Sequence, residues 1–172
     1  MIEKLHRICL AGLLVLGMAA SAAAGSDLPH PEGPVVLRVF GALPNTNIDG
    51  EALFDLQMLR DLPSTEFETT TIWTDGVQHF GGVSLGTLLE ALGINSGSLE
   101  ASALNEYLIE IPLDDAVDDG ALIAYEINGK EMSVRDKGPL WIVYPYDDNP
   151  EYRSEVYYAR SIWQLDTIEA LP

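Results

Sequence analysis

The residues best suited to chemistry in this 172-residue chain are aromatic: Trp73, Trp141, Trp163 and the loop Tyr144-Pro145-Tyr146-Asp147-Asp148 that follows an apolar run. Such rings stack on a flat heteroaromatic ligand, while a carboxylate such as Asp147 accepts hydrogen bonds from an amidine-like edge. Large aromatics also dominate protein interiors, and each tryptophan taken singly reads more readily as core. His79 lies in Asp75-Gly76-Val77-Gln78-His79-Phe80-Gly81-Gly82, a glycine-rich connection next to Trp73, as either a ligand contact or a structural loop histidine. Arg160, between Tyr158 and Trp163, carries a fork suited to a carboxylate, a carbonyl edge or a partner's acid. Its other reading is a surface ion pair. We expect it to serve the site or a partner surface, not the fold.

Other chemistries find little footing. The chain has one cysteine, Cys9, which lies in the N-terminal apolar stretch and is expected to leave with it. A serine triad needs a histidine, and only His30 and His79 lie beyond that stretch; no Gly-x-Ser-x-Gly elbow is present. Two isolated histidines cannot make the usual zinc sets. Asp114-Asp115 with Asp118-Asp119 lacks the alternating order of a calcium loop and reads as a solvated helix turn. With 27 acidic and 9 basic side chains, a formal charge of −18, the surface repels the phosphate backbone of nucleic acids.

The elements that must position these residues begin after a processing segment. Lys4 and Arg7 precede the apolar run Ile8–Ala20 and the small residues Ser21-Ala22-Ala23-Ala24, the pattern of a secretory signal peptide. Residues 1–24 are therefore expected to be removed and the product to be periplasmic, without membrane insertion. Cleavage after Ala22 satisfies the same small-residue rule as cleavage after Ala24. Residues 25–34, rich in Gly, Pro and Ser, are expected to form a flexible leader, and residues 35–172 one domain that rests on core burial without disulfides.

Within that domain, Val35–Phe40 reads as a strand, and Phe54–Pro63 as a short helix capped by Asp55 and ended by Pro63. Glu66–Trp73, Tyr107–Ile111, Leu122–Ile127 with its Asn128-Gly129 turn, and Leu140–Tyr144 read as strands. Ser84–Leu92 is a helix capped by Ser84, striped with Leu85, Leu88, Leu89 and Leu92 and stopped by Gly93. Tyr157–Ile168 reads as a closing strand. The expectation is an α+β domain, a mixed, barrel-like β-sheet with short helices and no glycine-rich phosphate loop.

In this order, Phe54-Asp55-Leu56 to Leu62-Pro63, Thr69-Thr70-Thr71-Ile72-Trp73, Phe80-Gly81-Gly82-Val83-Ser84-Leu85 with Leu88-Leu89, Ile123-Ala124 before Asn128-Gly129-Lys130, Gly138-Pro139-Leu140-Trp141-Ile142-Val143-Tyr144-Pro145 and Arg160-Ser161-Ile162-Trp163 follow one another. The series resembles the molybdopterin-binding domain of the sulfite oxidase superfamily, from about Val35 to Ala170. In catalytic members a cysteine just after the strand corresponding to Thr69–Trp73 binds molybdenum; here that neighbourhood offers Thr71 and Trp73. The family's cofactor-holding Arg in Gly-x-Pro-Leu-Arg is replaced by Trp141. The resemblance therefore implies a small periplasmic member that binds a non-molybdenum pterin, with molybdopterin disfavoured. It also implies a partner, the periplasmic domain of a membrane signalling protein in cyclic-di-GMP control. Alternatives are a molybdopterin-dependent oxidoreductase and a ligand-free acidic adaptor. The candidate ligand contacts are Thr71, Trp73, His79, Trp141, Tyr144, Tyr146, Asp147, Arg160 and Trp163.

Overall fold

The computed structural model describes residues 28–172; the expected signal peptide, Cys9 and the start of the expected leader lie outside the described residues. The strands are β1 (Val35–Gly41), β2 (Ala52–Asp55), β3 (Ser64–Thr70), β4 (Val77–Ser84), β5 (Ser98–Ala103), β6 (Leu108–Pro112), β7 (Leu122–Ile127), β8 (Lys130–Glu131), β9 (Trp141–Val143) and β10 (Leu165–Leu171). The helices are α1 (Leu56–Asp61), α2 (Leu85–Leu92) and α3 (Glu155–Arg160). One sheet runs β2-β1-β10-β5-β6, with β1 and β10 parallel. The other runs β3-β4-β7-β8, and β9 pairs with β7 beside β8. A bridge between Trp141 and Trp163, with the Leu165 amide donating to the Leu140 carbonyl at 3.0 Å, stitches β9 to the start of β10. That seam closes the two sheets into the barrel-like α+β form expected, and it lies beside the aromatic residues.

Local rules account for the first two helices. The Asp55 carboxylate accepts the Met58 amide at 2.8 Å, and Pro63 follows the end of α1. Ser84 accepts the Thr87 amide at 3.0 Å, and Gly93 takes φ 74° to close α2. The α2 leucine stripe is buried against the sheets, where full burial of each side chain is worth about 1.5–3 kcal/mol. β4 and β7 approach so closely at Gly82 that a Cβ there would collide with the Ile123 carbonyl. The free edge strand β3 alternates, with Glu66 and Glu68 exposed, which blunts edge-to-edge association.

The structure corrects several expectations. Tyr157–Ile168 is not one strand: α3 ends at Arg160, an irregular stretch follows, and β10 begins at Leu165. Aromatic and β-branched content suggested a strand, whereas the local signal for a helix is Glu155 in its first turn. His79 lies within β4, opposite Glu68 on β3, not in a loop. β5, built from Ser98-Leu99-Glu100-Ala101-Ser102-Ala103, was not anticipated because Ala and Ser are weak strand formers, although its burial alternates cleanly. From Leu28 onward the leader is tied down: the Glu32 and Gly33 amides donate to Asp55 at 2.7 Å, and Leu28 donates to Thr46 at 3.3 Å.

Candidate functional site

The turn after β3 is built around Thr71, whose hydroxyl accepts the Trp73 amide at 3.0 Å and bonds Thr74 Oγ1 at 2.8 Å. This tight turn throws Trp73 over the seam between the sheets. There Trp73 meets Trp163 at 5.6 Å, Tyr158 at 5.7 Å and Trp141 at 5.9 Å between ring centroids, all edge-to-face. Beneath it Trp141 is fully buried and donates its indole N–H to the Ser161 carbonyl at 3.2 Å. Each such pair contributes about 0.5–1.5 kcal/mol beyond area burial, which makes the cluster rigid.

Beside Trp73 opens a cleft of about 310 Å³. One wall is Trp73 and Trp163; another is Tyr158, Ala159 and Ser161 from the end of α3; Asn105 and Tyr107, from the β5–β6 connection, form the rim. None of the nine lining residues is Asp, Glu, Lys, Arg, His or Cys. The volume sits at the lower end of the range for small-ligand sites, about 300–1,000 Å³. An apolar, ring-lined and uncharged cleft holds a flat neutral molecule by stacking and repels a bare ionic group, whose desolvation nothing there compensates.

The expected site residues divide accordingly. Trp73 and Trp163 line the cleft, Thr71 sets the turn that carries one of them, and Trp141 is the floor behind both. Tyr146, 2 % exposed, donates its hydroxyl to Ser161 Oγ, because the serine proton is already given to the Tyr157 carbonyl at 2.7 Å. Burial raises the Tyr146 phenol above the ordinary tyrosine range. It therefore buttresses the Ser161 wall and does not itself open on the cleft.

Asp147, Arg160, Tyr144 and His79 are placed elsewhere. The Asp147 carboxylate accepts the Thr70 amide at 2.6 Å and the Thr70 hydroxyl at 2.8 Å, and it pairs with Arg153 at 2.5 Å. Those donors, the Thr70 amide foremost, hold it below the usual carboxylate range. It staples the Tyr144–Asp148 loop to the end of β3 and offers no edge to a ligand in the cleft. Arg160 reaches inward: Nη1 is 3.1 Å from both Asp115 oxygens, and its guanidinium lies 5.3 Å from the Tyr157 ring centroid. Asp115 also accepts the Tyr144 hydroxyl at 2.7 Å and is 6 % exposed, so it is not part of a solvated turn. Burial, then the neighbouring Asp115 charge, drive the Tyr144 phenol far above its usual range. The expectation that Arg160 serves the site and not the fold is corrected: with Asp115 and Tyr144 it anchors the end of α3. His79 Nε2 lies 3.4 Å from Glu66 on the outer surface of β3 and β4 and is not among the lining residues.

Asn105, Tyr107 and Tyr158 line the cleft without being among the residues expected from the sequence. The only local sign was the Asn105-Glu106 turn with Glu106 at φ 66°, which marks a loop but not a ligand contact.

Among known families, the one described as Oxidoreductase molybdopterin binding domain matches residues 47–147, more than half of the chain. The match takes in β2 to the Tyr144–Asp147 loop and includes Trp73, Asn105, Tyr107, Trp141 and Tyr146; Tyr158 and Trp163 lie beyond it. No curated relative matches the chain. The bridge-closed sheets, the cleft beside the turn after β3 and this match lead to one assignment: the chain belongs to the oxidoreductase molybdopterin-binding domain family.

Proposed function

We propose that this chain is an exported, non-catalytic member of that family. It binds a pterin without molybdenum and acts through the periplasmic domain of a membrane signalling protein in cyclic-di-GMP control. The observation that carries the ligand half is the cleft itself: four aromatic residues, Trp73, Tyr107, Tyr158 and Trp163, around a space of about 310 Å³, with no charged side chain among its walls.

Molybdopterin itself fits this site poorly. Its phosphate calls for Arg, Lys or a helix N-terminus, and the cleft walls provide no cation. The family's metal is held by a soft thiolate, and residues 28–172 contain no cysteine. Among the described residues no three His, Cys, Asp or Glu side chains converge as a metal site. The protein's part is to exclude water from one ring face, orient the ring and present the remainder at the mouth.

The partner half rests on the mouth. Of the nine exposed large apolar side chains among the described residues, five flank the cleft in sequence or on its own elements: Ile72, Leu104, Tyr107, Leu108 and Val156. Exposed apolar residues gathered at one place mark an interaction surface. A docking protein would meet the ligand and this rim together. No helix among the described residues is long and apolar enough to cross a membrane.

The family match favours a second reading, a molybdopterin-dependent oxidoreductase. Native mass spectrometry and elemental analysis of protein purified from its own periplasm separate the two. We expect a bound mass of pterin size and no molybdenum. Near-stoichiometric molybdenum would overturn the proposal and establish the enzyme.

A further inference from the structure

Resting on the pterin reading, we infer that the cleft grips its ligand by a hydrogen-bond-accepting edge and that Asn105, at the rim, reads this edge. Five acceptors of the wall already take a hydrogen bond. The Ser161 carbonyl accepts the Trp141 indole at 3.2 Å, and the Ala159 carbonyl accepts the Tyr107 hydroxyl at 3.1 Å. The Ile162 carbonyl accepts the Ile142 amide at 2.9 Å, and the Ala103 carbonyl accepts the Glu106 amide at 2.9 Å. Ser161 Oγ donates to the Tyr157 carbonyl and receives the Tyr146 hydroxyl.

The donors are a different matter. Asn105 Oδ1 accepts the Tyr107 amide at 3.2 Å, which fixes the orientation of the side-chain amide because its NH2 group cannot accept that bond. The NH2 therefore faces away from the Tyr107 amide, with no hydrogen-bond partner among the described residues. The Trp73 and Trp163 indole N–H groups likewise have no acceptor among the described residues, and the Tyr158 hydroxyl, which can give or take, is uncommitted. Asn105 lines the cleft with an uncommitted donor, and no carboxylate among the lining residues waits to accept from an amidine. A pterin carries a ring carbonyl and ring nitrogens on one side and its 2-amino amidine on the other. Complementarity turns the carbonyl side toward Asn105.

Three probes and two variants test this: pterin; lumazine, in which the 2-amino group is a second carbonyl; and 2-aminopteridine, which lacks the 4-carbonyl. Affinities are read by tryptophan quenching on the mature protein. Wild type should bind pterin and lumazine within about threefold of each other and bind 2-aminopteridine about tenfold more weakly, one hydrogen bond's worth. Asn105→Asp keeps the Oδ1 acceptor for Tyr107 and swaps the donor for an anion, so pterin affinity should fall at least tenfold at pH 7 with an unchanged melting temperature. Asn105→Leu should lose about tenfold for pterin and nothing further for 2-aminopteridine. Loss of lumazine binding by tenfold, or pterin affinity unaltered in Asn105→Asp, would overturn the inference while leaving the pterin reading intact. Failure of wild type to bind any of the three would overturn the pterin reading itself.

Discussion

Replacing Arg160 by alanine should unfold this protein more readily without acting through the ligand. Arg160 Nη1 sits 3.1 Å from both oxygens of Asp115, and the side chains are 20 % and 4 % exposed. Removing the guanidinium leaves a buried carboxylate with the Tyr144 hydroxyl as its one remaining hydrogen-bond donor in the network. Breaking a buried pair costs about 3–5 kcal/mol, and the residual exposure of Arg160 places this one near the lower figure. For a domain of this size that is a melting-temperature drop of about 6–12 °C. Arg160→Lys should cost far less. A single nitrogen makes the contact, so an ammonium can replace it, and the stacking on Tyr157, worth about 0.5–1 kcal/mol, is the main loss. Thermal unfolding followed by circular dichroism at pH 7, with pterin affinity measured well below the transition, reads both quantities. We expect a graded fall in melting temperature, alanine below lysine below wild type, with affinity of the lysine variant within about threefold of wild type. An unchanged melting temperature with a tenfold loss of affinity in Arg160→Lys would show that the guanidinium contacts the ligand and does not hold the fold.

Three further outcomes follow from the same geometry. Tyr144 and Tyr146 hold their protons more tightly folded than unfolded, so their contribution is complete below about pH 10 and is lost as pH rises further, by about 1.4 kcal/mol per pH unit for each; Tyr144→Phe should make the alkaline slope shallower by about that amount in urea titrations. Gly82→Ala drives a methyl into the Ile123 backbone and should destabilise by about 1–3 kcal/mol in chemical denaturation. Asp147→Ala strips the Thr70 donors of their acceptor, at a cost of about 1–3 kcal/mol. Because the Asp147 carboxyl is held low, its contribution is present above about pH 4 and lost as pH falls, so the variant should show a shallower acid limb.

What the sequence disclosed follows physical reach. Asp55, Ser84 and Gly93 act within a few residues of where they stand, so α1, α2 and their ends could be read from spacing alone. α3 is six residues long, too short to persist by propensity, and exists because Arg160 pairs with Asp115, 45 residues earlier. That partner could not be read from a cluster of four carboxylates that looked solvated. Similarly, Trp73 and Trp163 stood out by type, but Asn105 and Tyr107 enter the cleft only because β5 pairs with β10, an arrangement that alternating Ala and Ser conceal. The carboxylate expected to meet the ligand, Asp147, is taken up by a contact with Thr70 77 residues away.

Pterin binding at the tryptophan cleft of the mature, metal-free protein is the decisive property to measure. Fluorescence titration with pterin answers it, since a ring stacked on Trp73 or Trp163 quenches their emission. We predict a saturable quench with one site per chain and a Kd below about 1 mM, equivalent to binding stronger than about −4 kcal/mol, abolished in Trp163→Ala. The absence of any quench or thermal shift up to millimolar pterin would contradict the account.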